Sequence, residues 1–274
     1  MSTPFGRRLA DVVADRGPLC VGIDPHAPLL AAWGLPDSPE GLARFTDTVV
    51  DALAGSVAVL KPQLAFYERH GSRGLAVLEE AVARARAAGA LVLLDAKRGD
   101  IGSTMSGYAD YLRPEHPLAV DAMTVSPYLG PGSLQPAVDT ARAHGGGLFV
   151  LARTSNPDAG TLQHARVGER SVAQVVVDTV RGWNTAERAP GGTGSFGVVV
   201  GATLRELDVD LDGLGGPVLA PGLGAQGGTV SDLRRLFGTG SAVVPTVSRD
   251  VLGAGPDPAS LRAAADRWAE AITA

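Results

Sequence analysis

Eight short apolar runs, each followed by a stretch of helical spacing, constrain this chain more than any other feature. The runs fall at residues 19–24, 56–61, 90–97, 118–125, 147–153, 196–201, 217–220 and 241–247, and are rich in Val, Leu and Ala. Runs of that length, without sustained polar alternation, suit strands covered on both faces, as in a parallel sheet. The intervening segments read as helices. Over 74–88, Leu75, Leu78, Val82 and Ala85 share one helical stripe, and Gly89 follows as a C-terminal cap. Over 171–183, Val172, Val175, Val176, Val180 and Trp183 trace another. Strict strand–helix alternation predicts an α/β fold, a single-domain (β/α)8 TIM barrel over residues 1–274. A doubly wound open sheet is the alternative. The length of 274 residues suits one closed barrel.

Charge and cysteine content narrow the function. Lys and Arg number 24 against 29 Asp and Glu, giving a net charge of −5. Without a long basic block, the chain is not expected to grip nucleic acid through its phosphates. Cys20 is the only cysteine, so no internal disulfide or cysteine-clustered metal site can form. No apolar run reaches the ~18 residues of a membrane span. The first fifteen or so residues mix acids among apolar positions and lack a signal-peptide core. These features lead to the expectation of a cytoplasmic protein with no membrane partner.

Alternate residues of a strand share a face. Cys20, Gly22 and Asp24 therefore align on the first strand, Val57, Val59 and Lys61 on the second, and Leu93, Asp95 and Lys97 on the third. Each set begins small or apolar and ends in charge at the C-terminal end, where a barrel carries its active site. Asp100 follows just beyond the third strand, at the entry to a helix. A structural reading makes Asp95–Lys97 an ion pair and Asp100 an N-cap. Against it stands the cost of taking several charges out of water, several kcal/mol per ion without compensation. With Lys61 and Asp24 added to Asp95 and Lys97, an alternating Lys–Asp–Lys–Asp array balances its charges, and a cationic lysine can stabilise a developing carbanion and then protonate it.

A second constellation occupies the far end of the chain. Residues 221–228 supply four glycines after the seventh run, and Ser248-Arg249 follows the eighth. Barrels often bind phosphate with these two loops. Glycine admits close backbone approach, and Arg249 can fork two hydrogen bonds onto an anion. An ordinary turn and a solvated arginine are the plainer reading.

The motifs Gly22-Ile-Asp24-Pro, Lys61-Pro-Gln63 and Asp95-Ala-Lys97-Arg-Gly-Asp100-Ile101 together resemble the orotidine 5′-phosphate decarboxylase family, in its longer-chain bacterial branch. The resemblance runs on through Pro127-Tyr128-Leu-Gly130, Thr154-Ser155-Asn156-Pro157, the segment from Ala220 to Gly227, and Val247-Ser248-Arg249, covering about residues 19–250. The Asp-x-Lys-x-x-Asp core alone is shared with other phosphate-binding barrels; the later motifs make it specific. The resemblance implies decarboxylation of orotidine 5′-phosphate to uridine 5′-phosphate in pyrimidine biosynthesis, with no metal and no cofactor. It implies Lys97 as the donor of a proton to C6, Asp95 against the substrate carboxylate, Lys61 completing the array beside the ribose, and Asp24 on a ribose hydroxyl. Ser155 would read the pyrimidine, though Thr-Ser-Asn-Pro departs from the shorter-branch pattern. Pro221, Gly222, Gly224, Gln226, Ser248 and Arg249 would hold the phosphate, with Gln226 in a gate over it. Asp100, Ile101 and Thr104 would reach into the partner's site across a homodimer interface.

Two other readings compete. A metal-dependent sugar-phosphate lyase or aldolase would share the core motif, but its relatives tend to carry a carboxylate where Lys61 stands. A non-catalytic nucleotide-binding barrel would not need both Asp95 and Lys97. His26, His70, His116, His144 and His164 have no metal-ligand spacing and read as loop or surface residues. Cys20 reads as a buried interior thiol, Trp33, Trp183 and Trp268 as packing residues, and Tyr128 as packing or part of a pyrimidine pocket. Residues 154–167 read as a long loop able to serve as a lid, and 189–195 as a flexible surface loop.

Overall fold

A computed structural model of the chain describes residues 2–186, 192–238 and 242–274. Eight parallel strands close into a barrel in sequence order: Cys20–Ile23, Val59–Pro62, Leu91–Arg98, Ala122–Val125, Gly147–Arg153, Phe196–Val200, Val218–Pro221 and Val243–Val247. Strands and helices alternate as the sequence predicts, and closure of the sheet removes the open-sheet alternative. Among the described residues, no helix is long and apolar enough to cross a membrane.

The period-two pattern sorts the strand residues into two layers. Cys20, Val59, Leu91, Leu93, Ala122, Phe149, Val199, Leu219 and Val244 meet inside the barrel. Val21, Leu60, Val92, Leu94, Met123, Val150, Val198 and Val218 point outward and pack beneath the helices. Val57 departs from the expected alignment with Val59. It lies before the second strand begins and joins the outer layer. The fourth strand also starts later than expected, at Ala122. Just before it, the Asp121 carboxylate accepts the Val92 amide at 2.9 Å and pairs with Arg8 and Arg86. Asp121 is thereby bound as a charged anchor at the barrel's lower rim.

The helix Phe5–Arg16 closes that lower end. Phe5 and Leu9 enter the inner cluster, where Phe5 meets Phe149 edge-on at 5.9 Å. Gly147 makes room for this contact, since a Cβ there would lie 2.3 Å from the Phe5 ring. Residues 189–191 of the expected flexible loop lie outside the described residues. Its remainder is fastened under the helix, with Ser195 Oγ accepting the Gly6 amide at 3.3 Å and the Gly194 amide donating to Gly215 at 2.7 Å. Ser241, the expected start of the eighth strand, also lies outside the described residues.

The helical stripes form Gly71–Ala87 and Val172–Thr185, the latter capped by Ser171 Oγ accepting the Gln174 amide. Segment 154–167 is more ordered than an open lid. It contains the helix Ala159–Gln163, and Arg166–Val167 pairs antiparallel with Arg170–Ser171. Gln163 clamps Thr154 through both its amide and its hydroxyl, at 2.9 and 2.8 Å. His164 and Arg153 both engage Asp208, at 2.8 and 2.9 Å.

The packing of Phe5 yields a stability prediction. Phe5→Ala should lower the unfolding free energy by about 3–5 kcal/mol, because the closed barrel floor cannot collapse into the void. Urea unfolding would measure it, and a change below about 1 kcal/mol would show that the helix is not integral to the core.

Candidate active site

At the C-terminal mouth of the barrel, Asp95 is the point on which the charges converge. Its Oδ1 accepts from Lys97 Nζ at 2.6 Å and from Thr124 Oγ1 at 2.9 Å. Its Oδ2 accepts from Lys61 Nζ at 2.9 Å and Gln63 Nε2 at 3.0 Å. Four donors therefore saturate a carboxylate with about four acceptor directions. Lys61 stands on the second strand opposite Gly22 in register, and a single bridge sets Gln63 beside Asp95.

Lys97 reaches this position by an irregularity that alternation does not foresee. Pairing between the third and fourth strands shifts between Leu94 and Arg98, a bulge that re-aims the strand end. Lys97 has φ 47°, the one positive value on a non-glycine among the described residues. Such a conformation costs on the order of 1–3 kcal/mol and persists where neighbouring groups over-determine it. Here the Lys97 amide donates to Thr124 Oγ1 at 2.9 Å, while its ammonium is held by Asp95.

Burial divides the array. Lys61 and Asp95 are 5% and 8% exposed, whereas Lys97 is open to the cavity. Burial opposes charge on Lys61, but Asp95 first and then Asp24 outweigh it and raise its ammonium above the ordinary lysine range. Burial likewise pushes Asp95 upward, but Lys61 and Lys97 prevail and hold the carboxyl well below the usual carboxylate range. A depressed carboxyl contributes stability above its unfolded pKa of ~3.9 and loses it as pH falls through the folded value. A raised ammonium contributes below ~10.4 and loses it as pH rises through the folded value. Both groups are therefore ionised across the neutral range. Cys20 lies beneath them, fully buried, its thiol pushed up to about 12 by desolvation despite Lys61 nearby. It is the inert interior thiol expected from its strand position.

The cavity over this array measures about 260 Å³. Asp24 and Ser248 enter it from the first and eighth strand ends, and Asp24 Oδ1 and Ser248 Oγ are buried without a hydrogen-bond partner on the protein. Pro221, Gly222 and Gln226 form the wall after the seventh strand, and Arg249 the wall after the eighth. The Gln226 side-chain oxygen Oε1 folds over Gly222, 3.4 Å from where a Cβ would stand. Gly224 holds the turn from behind: its φ is +70°, and a Cβ would meet an Asp250 oxygen at 2.1 Å. The amides of Gly224, Gly227 and Gly228 donate within the turn itself, to Gly228, Gly224 and Gly222.

Several sequence expectations fall outside this wall. Asp100 is half-buried beyond the third strand, its carboxylate accepting the Ile101 amide at 2.8 Å. The following helix, Gly102–Ala109, has Ile101 in the cap position and no side-chain cap, so Asp100 is not its N-cap. Ile101 is 61% exposed, and Thr104 is exposed on the same segment. Ser155 is exposed, while its neighbour Thr154 lines the cavity. Tyr128 is 75% exposed and neither packs in the core nor shapes the pocket. The histidines have structural partners: His26 caps a helix, His116 accepts the Leu118 amide, and His70, His144 and His164 meet Asp37, Arg113 and Asp208. Trp33 packs against Phe45 with the ring planes tilted by 41° and donates to the Leu252 carbonyl.

Thr124 and Gln63 are the residues that sequence reasoning passed over. Thr124 shares the inward face of its strand with Ala122, so strand parity could have found it. Gln63 stands in the Lys61-Pro-Gln63 motif, but nothing in the motif assigns it to Asp95.

Comparison with known proteins agrees with this geometry over nearly the whole chain. The family model described as orotidine 5′-phosphate decarboxylase / HUMPS family matches residues 17–264. A relative from Salinispora arenicola named orotidine 5′-phosphate decarboxylase is 60% identical over 266 residues, 96% of this chain and 95% of its own length. Another of that name, from Streptomyces coelicolor, is 60% identical over 272 residues, 98% of this chain and 97% of its own. A crystal structure from Streptomyces avermitilis aligns with TM-score 0.94 and 59% identity, covering 99% of this chain and 95% of that one. That of Leishmania donovani OMP decarboxylase aligns with TM-score 0.75 and 31% identity, covering 99% and 98%. With the motif residues gathered at one barrel mouth and the match spanning from before the first strand to the last helix, the chain belongs to the orotidine 5′-phosphate decarboxylase / HUMPS family.

Proposed function

We propose that the chain, acting over residues 1–274 as one catalytic unit, converts orotidine 5′-phosphate to uridine 5′-phosphate and carbon dioxide in pyrimidine biosynthesis, without a metal or cofactor. The observation that carries this reading is the Lys61–Asp95–Lys97 array at one wall of a cavity whose other wall is the Gly222–Arg249 side. The C6–carboxylate bond breaks, carbon dioxide departs, and the electron pair left on C6 takes a proton from Lys97 Nζ. Lys97 then regains a proton from solvent. Lowering so high a barrier is the task of a prearranged field, since no single lysine supplies the ~23 kcal/mol that enzymes can reach.

Asp95 sits against the substrate carboxylate and fixes the Lys97 ammonium. Lys61 holds Asp95 ionised and contacts the ribose. The unpartnered Asp24 oxygen is suited to a ribose hydroxyl, which donates to it. Ser155, next to the cavity-lining Thr154, reads the pyrimidine. Pro221, Gly222, Gln226, Ser248 and Arg249 hold the phosphate, Arg249 and the Ser248 hydroxyl supplying side-chain donors, while Gly224 serves it through the turn that carries Gln226. Binding energy from that distant anion is used to close the site over the base. Asp100, Ile101 and Thr104 serve the partner's site in a homodimer. Their support is the exposed position of Ile101 and Thr104, with Tyr128 and Leu129 exposed on the neighbouring loop. A single buried cysteine with no disulfide to form suits the reducing cytoplasm.

Orotidine 5′-phosphate added to purified, metal-stripped protein should lose its pyrimidine absorbance. No loss, or loss only after magnesium is restored, would overturn the proposal. Lys97→Ala should lower kcat by at least about 10³-fold.

Subunit mixing tests the shared site. Lys97→Ala and Asp100→Ala homodimers should each be nearly inactive, and mixed dimers should regain one intact site. Confirmed exchange without recovered activity would exclude the assignment of Asp100 to the partner's site.

The ionisation of Asp95 has its own signature. Asp95→Asn should be less stable than the unsubstituted chain at pH 7, and that gap should narrow as pH falls below ~4, because the unfolded unsubstituted chain then takes up a proton at Asp95 that its folded state resists. Urea unfolding at both pH values measures it; a gap that stays constant would mean Asp95 is not held ionised by its lysines.

A further inference from the structure

We infer that Thr124 is a positioning residue for the proposed decarboxylation: its hydroxyl joins the Lys97 backbone to the Asp95 carboxylate and so fixes where the Lys97 ammonium stands. The inference rests on the reading of Lys97 as proton donor. Thr124 is 1% exposed, on the inward face of the fourth strand, where it also lines the cavity. One hydroxyl makes both bonds, accepting the Lys97 amide at 2.9 Å and donating to Asp95 Oδ1 at 2.9 Å. That uses its only donor and one of its two acceptor sites, so the hydrogen has one direction to point.

The arrangement closes a ring. Lys97 Nζ bonds Asp95 Oδ1 directly, and Lys97 N reaches the same oxygen through Thr124. The lysine is therefore tied to one carboxylate oxygen at both ends of its length. The tie at the backbone end matters because Lys97 is held at φ 47°. With no acceptor for its amide, the residue can relax to the negative φ that L-residues favour. Relaxation re-aims the Cα–Cβ bond, and the ammonium at the end of a four-carbon stem moves with it. Asp95 would lose a donor in the same step, leaving three to orient it.

Side-chain chemistry separates this role from packing. Valine has the shape of threonine without the hydroxyl, so it preserves the strand and removes both bonds. Serine keeps the hydroxyl and removes only a methyl group. A filler role predicts that valine is the better replacement; a positioning role predicts serine.

Steady-state kinetics on the full chain with orotidine 5′-phosphate, together with thermal unfolding, decides the matter. Thr124→Val should unfold cooperatively and show kcat reduced by about 10²-fold, the loss expected of a reacting group displaced by about 1 Å, with KM within about threefold. Thr124→Ser should hold kcat within about fivefold of the unsubstituted chain. Should Thr124→Val fail to fold, Thr124→Ala is read by the same separation of kcat from KM, against the same serine variant. Full kcat in the valine variant, equal losses in valine and serine, or a loss confined to KM would each overturn the inference. An unsubstituted chain that does not decarboxylate the substrate would instead overturn the functional reading on which it rests.

Discussion

The Asp95 carboxylate, bonded by two ammonium groups, a hydroxyl and an amide, is the interaction on which the mouth of the barrel depends. An ion this buried is costly unless its lone pairs are filled, and one partner removed leaves the others uncompensated. The four donors come from three places: Lys61 and Gln63 from the end of the second strand, Lys97 from the third, Thr124 from the fourth. The carboxylate thus ties three neighbouring strands at the end where their pairing becomes irregular, a single bridge on one side and a bulge on the other. Its low pKa and the raised value at Lys61 are two expressions of one mutual stabilisation.

The barrel supplies what this array cannot supply for itself. Inward residues of the first three strands step from apolar to charged, so the floor is a dry cluster sealed by Phe5 and the mouth is polar. Desolvated Cys20 marks the boundary between the two layers. Above it, a lysine in a left-handed backbone conformation is braced from both its ends. Strain of this kind is stable only in a frame whose strands cannot shift independently. Across the cavity, Gly224 approaches Asp250 too closely for any side chain, which sets the turn carrying Gln226.

Much of this was legible in the residues. Alternation of apolar runs with helical stripes gave the strand count and the closed barrel. Parity placed Lys61, Asp95 and Lys97 on inward faces, and applied to the fourth strand it would also have singled out Thr124. Other features carried no local signal. The bulge that turns Lys97 depends on register with the fourth strand. The late start of that strand follows from Asp121 meeting arginines far away in the chain. The ordering of segment 154–167 rests on Asp208, beyond the sixth strand, and on a glutamine folding back upon Thr154.

What the sequence determined alone is periodic and local: which residues face the axis, which runs form strands, and which charges stand at strand ends. Those follow from covalent geometry, because a strand alternates its side chains whatever its neighbours are. The tertiary structure alone decided which of those charges touch. Lys61, Asp95 and Lys97 meet, while Asp100, two residues beyond the third strand's end, does not join them. The physical reason is that contact depends on strand register, bulge and backbone sign, which are set by pairing between segments far apart in the chain and leave no mark in any one of them.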